Sequence, residues 1–248
     1  MNFRVNVLAV VSALALAVPA QAGPVEDGNA AFGEGDFAAA VRAYDAALAA
    51  GPQSAGLYYN LAMAQLKEAR RAEAAVSLRR AVMLDPRMAD ARMALSELEK
   101  SQGISVRADW RDAVAEKAPL GMVFVGGAML AWAGAFLLLW GAFPGGRRGR
   151  RLAGGLLAFL LGAGVFTVGY LSDPRIAGAK DAVVSADGGA SLLAAPADQS
   201  APVTRVPECA PVRILQRSGE WTYCETPSGE KGWTSSSSLV PVVPAGKG

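Results

Sequence analysis

GEGDFAAAVRAYDAALAAGP, residues 33–52, returns one repeat later as KEARRAEAAVSLRRAVMLDP, residues 67–86. Pro52 and Pro86 lie 34 residues apart, and the residues before each follow one spacing: small, bulky, small, then Leu or Val and the proline. In the first copy Gly35, Asp36, Phe37, Ala40, Tyr44, Ala47, Leu48 and Pro52 hold these places; in the second, Ala69, Ala74, Leu78, Ala81, Val82 and Pro86 do. Alanines at the crossings let antiparallel helices approach closely, while Tyr44 or Leu78 fills the gap between pairs. Residues 24–48 therefore read as a helix pair broken at 33–36, and residues 54–84 as a second pair broken near 69–72.

This period and residue pattern resemble the tetratricopeptide (TPR) repeat, which implies an all-α solenoid that binds segments of other proteins. A third, degenerate unit begins at Ala89. Leu95 and Ser96 are in phase, and Gly103, Ala108 and Ala115 fall where the turn and crossing residues belong. Asp112 replaces the gap-filling aromatic, and Val106, Trp110 and Val114 form an apolar stripe at helical spacing. The last helix is expected to cap the solenoid and lead toward a membrane. For units of this kind the resemblance implies a concave groove lined by first-helix positions, here Tyr59, Met63, Leu66 and Lys67 in the second repeat and Met93 and Glu97 in the third. The competing reading for Leu66 and Met93 is plain solenoid core.

An apolar share of 52% and a mean hydropathy of +0.25 exceed what a soluble globule needs. Residues 1–22 carry Arg4, an apolar run and small residues at Ala20 and Ala22, the pattern of a cleaved secretory signal. Residues 119–143 and 152–172 are uncharged runs long enough to cross a bilayer as a two-helix transmembrane hairpin. Between them, residues 144–151 hold Arg147, Arg148, Arg150 and Arg151, which the positive-inside tendency assigns to the cytoplasm. Both flanking parts are then expected outside, in the periplasm. Gly127, Ala131 and Ala135 in one span, and Gly154, Ala158 and Gly162 in the other, suggest small faces that pack on each other.

After a linker at 173–180 the periodicity turns strand-like at 181–185, 202–206, 212–215, 221–225, 232–234 and 239–242, with turns at 186–189, 216–219 and 227–229. Residues 181–244 are thus a small all-β domain, expected to close as a barrel. Cys209 and Cys224 are the only cysteines, and an exported position permits a disulfide, two separately buried thiols, or a redox-sensing pair.

The segment PECAPVRILQRSGEWTYCETPSGEKGWTSSSSL resembles the bacterial SH3 pattern through Val212, Ile214, Gly219, Trp221, Gly229, Gly232, Trp233 and Leu239. Cys209 stands where that pattern has a turn glycine, and Cys224 where it has an inward valine. Trp221, Tyr223 and Trp233 offer a shallow aromatic groove, with core filling the favoured role for Trp221 and Trp233. The full order of signal, TPR units at 23–118, two spans and an SH3-like domain resembles the BatE-type proteins of Bat (aerotolerance) operons. That likeness implies membrane or periplasmic protein partners, among them von Willebrand A domain proteins and a MoxR-type ATPase complex.

No histidine is present, which excludes histidine-based acid/base catalysis and histidine metal sites. Two cysteines make a poor zinc site, the Gly-rich runs lack the Gly-Lys-Ser/Thr of a phosphate loop, and a net charge of +2 gives no nucleic-acid footprint. The reading is a non-enzymatic adaptor without cofactors; its rival is a peptidoglycan-binding SH3 module tethered to the inner membrane.

Overall fold

The computed structural model describes residues 23–105, 110–117, 119–142, 148–173 and 180–243. The expected signal at 1–22, and Val106, Ala108 and Arg147, lie outside the described residues.

Five helices build the N-terminal part: α1 (Pro24–Glu34), α2 (Phe37–Ala50), α3 (Ala55–Lys67), α4 (Arg71–Leu84) and α5 (Ala89–Ser101). The repeat is legible in the turns. Gly35 (φ +83°) and Ala69 (φ +59°) occupy the same repeat place and adopt the same left-handed conformation. Each turn closes with paired backbone bonds, Gly35 N to Phe32 O and Asp36 N to Ala31 O in the first, Ala69 N to Leu66 O and Arg70 N to Gln65 O in the second. Asp36 caps α2 by accepting from Ala39 N at 2.9 Å, and Ser54 caps α3 by accepting from Leu57 N at 3.2 Å.

Ala40, Ala74 and Ala81 are wholly buried at the crossings, and Tyr44 and Leu78 fill the gaps. Gly28 lets the Tyr44 ring lie against α1, because a Cβ there would sit 2.5 Å from Tyr44 Cε1. The Tyr44 hydroxyl donates to Asn29 Oδ1 at 2.8 Å. Between α3 and α4, buried Ser77 Oγ donates to Gln65 Oε1 at 2.8 Å.

The third unit departs from the solenoid after α5. A short helix, α6 (Trp110–Lys117), lies against the second long helix, and the Arg92–Glu116 ion pair of 2.8 Å ties it to α5. What covers α4 is the C-terminal sheet, so the expected cap helix is not the element that seals this face.

Helices α7 (Leu120–Ala142) and α8 (Arg148–Leu171) pair along their length and are long and apolar enough to cross a membrane. Only 11% and 17% of their most apolar windows are buried, which separates them from core helices of a globule. Arg148, Arg150 and Arg151 belong to the first turn of α8 rather than to a loop, and Arg151 stacks over Trp140 at 4.8 Å. The contact keeps Gly127, Ala131 and Gly162 of the expected faces but follows a different period. Gly127 meets Gly162 and Gly134 meets Gly155, while Gly141 rests on Leu152 and Gly169 on Val123, so the contacting glycines of each helix recur every seven residues, whereas Gly154 faces open space. A seven-residue repeat keeps two wrapped helices in register, which a strict four-residue stripe does not. A Cβ on Gly134 would lie 2.3 Å from Phe159 N, and one on Gly162 2.3 Å from Ala131 N, so backbone rests on backbone.

The C-terminal part is one antiparallel sheet of β1 (Asp181–Val184), β2 (Ala190–Leu193), β3 (Pro202–Val206), β4 (Pro211–Ser218), β5 (Trp221–Glu225), β6 (Lys231–Ser235) and β7 (Leu239–Pro241). Its order is β3-β2-β6-β5-β4-β1-β7. The expected closed barrel is not formed, because β3 and β7 end the sheet and do not pair with each other. Both edges are protected in other ways: Pro202 lacks a donor on β3, and the free edge of β7 turns toward α4. Strand β2 escaped the sequence reading, and the turn read at 216–219 is strand as far as Ser218, with an irregularity between Ile214 and Gln216.

Strand β1 is buried on both faces. Ala182 and Val184 join the sheet's own core with Leu192, Val206, Val212 and Cys224, while Val183 joins the helical core with Cys209 and Val242. Ile104, just after α5, packs against both cores. Arg80 of α4 donates from Nε to the Val242 carbonyl at 2.7 Å and from Nη2 to the Pro241 carbonyl at 3.3 Å.

Candidate functional site

The first helices of the second and third units, α3 and α5, face one another. Tyr59, Met63 and Leu66 recur at i, i+4 and i+7 on α3, and Asp90, Met93, Ala94, Glu97, Leu98 and Ser101 share one face of α5. With Arg71, the first residue of α4, they line a cavity of about 510 Å³. Five of the six groove residues expected from sequence meet here. Lys67, at the end of α3, is exposed and does not line it.

The groove has an apolar floor and a charged rim. Tyr59, Met63 and Leu66 are half-buried and rest on the core beneath, so Leu66 serves the core and the groove together. Met93 is 66% exposed and therefore not core. Unbranched Met side chains and a Tyr with a polar tip suit adaptable contact with another chain. Arg71 on one side and Asp90 and Glu97 on the other make no ion pair among the described residues. Sequence reasoning missed Arg71, Asp90, Ala94, Leu98 and Ser101, although the period of α5 from Met93 and Glu97 points to all but Arg71.

Behind the groove, Arg79 of α4 pairs with Glu99 of α5, both side chains largely buried at 17% and 13% exposure. Burial pushes the Glu99 carboxyl up despite the Arg79 guanidinium, which pulls it down.

On the sheet, Trp221, Tyr223 and Trp233 share the face opposite the core, where Thr222, Cys224, Gly232 and Thr234 are the buried ones. Both tryptophans are thus half-buried on an outer face and not core fillers. Alternation along β5 and β6 fixes this, since the small residues take the inward places. Tyr223 pairs with Trp233 across the strands, ring centroids 5.1 Å apart.

Cys209 and Cys224 are free and wholly buried, each in a different core. Cys209 adopts φ +67°, a left-handed conformation that favours glycine. Burial pushes the Cys209 thiol up to about 12, and burial pushes Cys224 up to about 11.

Residues 31–98 match the tetratricopeptide repeat family. The matched stretch runs from the end of α1 through α2, α3 and α4 to Leu98 on α5, so it includes every groove residue except Ser101. TPR repeats are a protein-interaction fold, and stacked repeats bind along their concave surface. No curated protein matches the chain.

Proposed function

We propose that this chain is a non-enzymatic, membrane-anchored scaffold that holds a partner protein in the TPR groove. The observation that carries this is the cavity of about 510 Å³ between α3 and α5, floored by Tyr59, Met63 and Leu66 and rimmed by Arg71, Asp90 and Glu97. The hairpin α7–α8 anchors it in the bacterial inner membrane. The Arg80–Val242 bond supports a two-span topology, because TPR region and sheet can touch only on one side of the bilayer. The arginines between the spans favour the cytoplasm for that turn, leaving both folded parts in the periplasm. The order of parts supports an SH3-like C-terminal domain and a place in a Bat-type complex with a MoxR-type ATPase and von Willebrand A domain membrane proteins.

The test is affinity purification of the full-length protein in mild detergent beside the Tyr59→Ala/Met63→Ala variant. The wild type is expected to bring membrane or periplasmic proteins that the variant loses while keeping its helical circular dichroism. Identical co-purification from both would sink the groove as the binding site.

A second reading rests on the outer aromatic face of the sheet. Trp221, Tyr223 and Trp233 form a half-exposed strip suited to stacking on a saccharide or peptide, which supports a peptidoglycan-binding module. Full-length protein that leaves purified wall material unbound, with Trp233→Ala indistinguishable from wild type, would eliminate it.

A further inference from the structure

In a helical solenoid each layer is covered by the next, and the last needs a cap whose outer face tolerates water. Here α4 has α3 on one side and α5 on another, and a further face meets β1 and β7. The contact is both apolar and polar. Val183, Cys209 and Val242 are buried in one core with Ala75, Val76 and Leu78 of α4 and with Ala91 and Leu98 of α5. Arg80 binds the Pro241 and Val242 carbonyls while its guanidinium lies 5.7 Å from the Tyr58 ring centre, so one side chain ties α3, α4 and the sheet edge together.

We infer that the C-terminal sheet is the cap of the TPR solenoid, and that its seating on α4 holds α5, and with it one wall of the groove, in place. The chain order makes this a conditional device. The cap is attached after both long helices, so the groove is completed only when α7 and α8 have brought the sheet back to the side where α4 waits. Two features join cap and groove: Ile104 packs against both cores, and Leu98 lines the groove from above while belonging to the same core as Val183 and Val242. The aromatic strip of β5 and β6 lies on strands other than β1 and β7, so seating leaves it uncovered. This inference goes beyond the scaffold reading and does not depend on what the groove binds.

Hydrogen exchange on the full-length protein in detergent tests it, using Val242→Ser on the sheet side and Arg80→Gln on the helix side. Both variants are expected to speed exchange of α5 amides at least tenfold and to leave α1 amides unchanged. If Val242→Ser unfolds the sheet outright, seen as lost protection in β5 and β6, α5 must lose protection with it. Unchanged α5 exchange in either variant, with β7 deprotected or the sheet unfolded, would overturn the cap.

Discussion

Arg80 and Val242 stand 162 positions apart in the chain and meet through a 2.7 Å hydrogen bond from guanidinium to backbone carbonyl. Between them in sequence lie the last unit of the solenoid, two long apolar helices and all seven strands of the sheet. The bond closes this path, so α4 carries the groove layer on one side and a second domain on the other. It also satisfies an edge strand whose carbonyls would otherwise be open to pairing with another chain.

A shared side of the membrane is the first consequence. In cells, Glu34→Cys and Ser228→Cys are expected to react with a membrane-impermeant maleimide from the same face, that of the periplasm. Labelling of one only from outside and the other only after lysis would exclude the docked arrangement.

The repeated turn gives a stability prediction. Ala69 holds the left-handed place that Gly35 holds in the first unit, and an L side chain there costs about 1–2 kcal/mol. Ala69→Gly is expected to recover about 1 kcal/mol in urea unfolding, offset partly by the flexibility glycine adds to the unfolded chain. Gly35→Ala should lose a similar amount.

The hairpin is predicted to be sensitive at alternate glycines. Gly162→Val drives a side chain into the α7 backbone and should cost about 1–3 kcal/mol, while Gly164→Val, with nothing within 4 Å, should be near neutral. Fluorescence transfer between labels on the two helices, followed through a denaturing-detergent titration, measures the difference.

Both thiols should behave as buried apolar groups. With the Cys209 pKa pushed up to about 12 and that of Cys224 to about 11, the thiolate fraction at pH 8 is about one in a thousand or less, and iodoacetamide should label neither before unfolding. The sign of the pH effect follows from the raised folded values. The thiols' contribution to stability is intact below the unfolded value of 9.0 and is lost as pH rises above it toward the folded values. Cys209→Ser should flatten that alkaline loss. Rapid native labelling at pH 8 would instead favour a redox-sensing thiol.

Much of this was legible in the sequence where one local rule dominates. The prolines and alanines of the repeat place α1 to α5, the uncharged runs place α7 and α8, and Met93 and Glu97 mark the groove face of α5. What could not be read was set by contacts between distant segments. Nothing local in Ala190–Leu193 marks a strand, since its small and unbranched residues become β2 only by pairing with β3 and β6. Core filling is the favoured sequence role for Trp221 and Trp233, but the register of β5 against β6 gives the inward places to Thr222, Cys224 and Gly232. Nothing near Arg80 in the sequence marks its role, because its partners arrive at the end of the chain.

The most direct test of the scaffold account is site-specific photo-crosslinking in cells with benzoylphenylalanine at Met93. The account predicts a discrete protein adduct from Met93 that disappears in the Tyr59→Ala/Met63→Ala background and is absent when the probe sits at exposed Arg42 on α2. No adduct from Met93, or the same adducts from Met93 and Arg42, would contradict it.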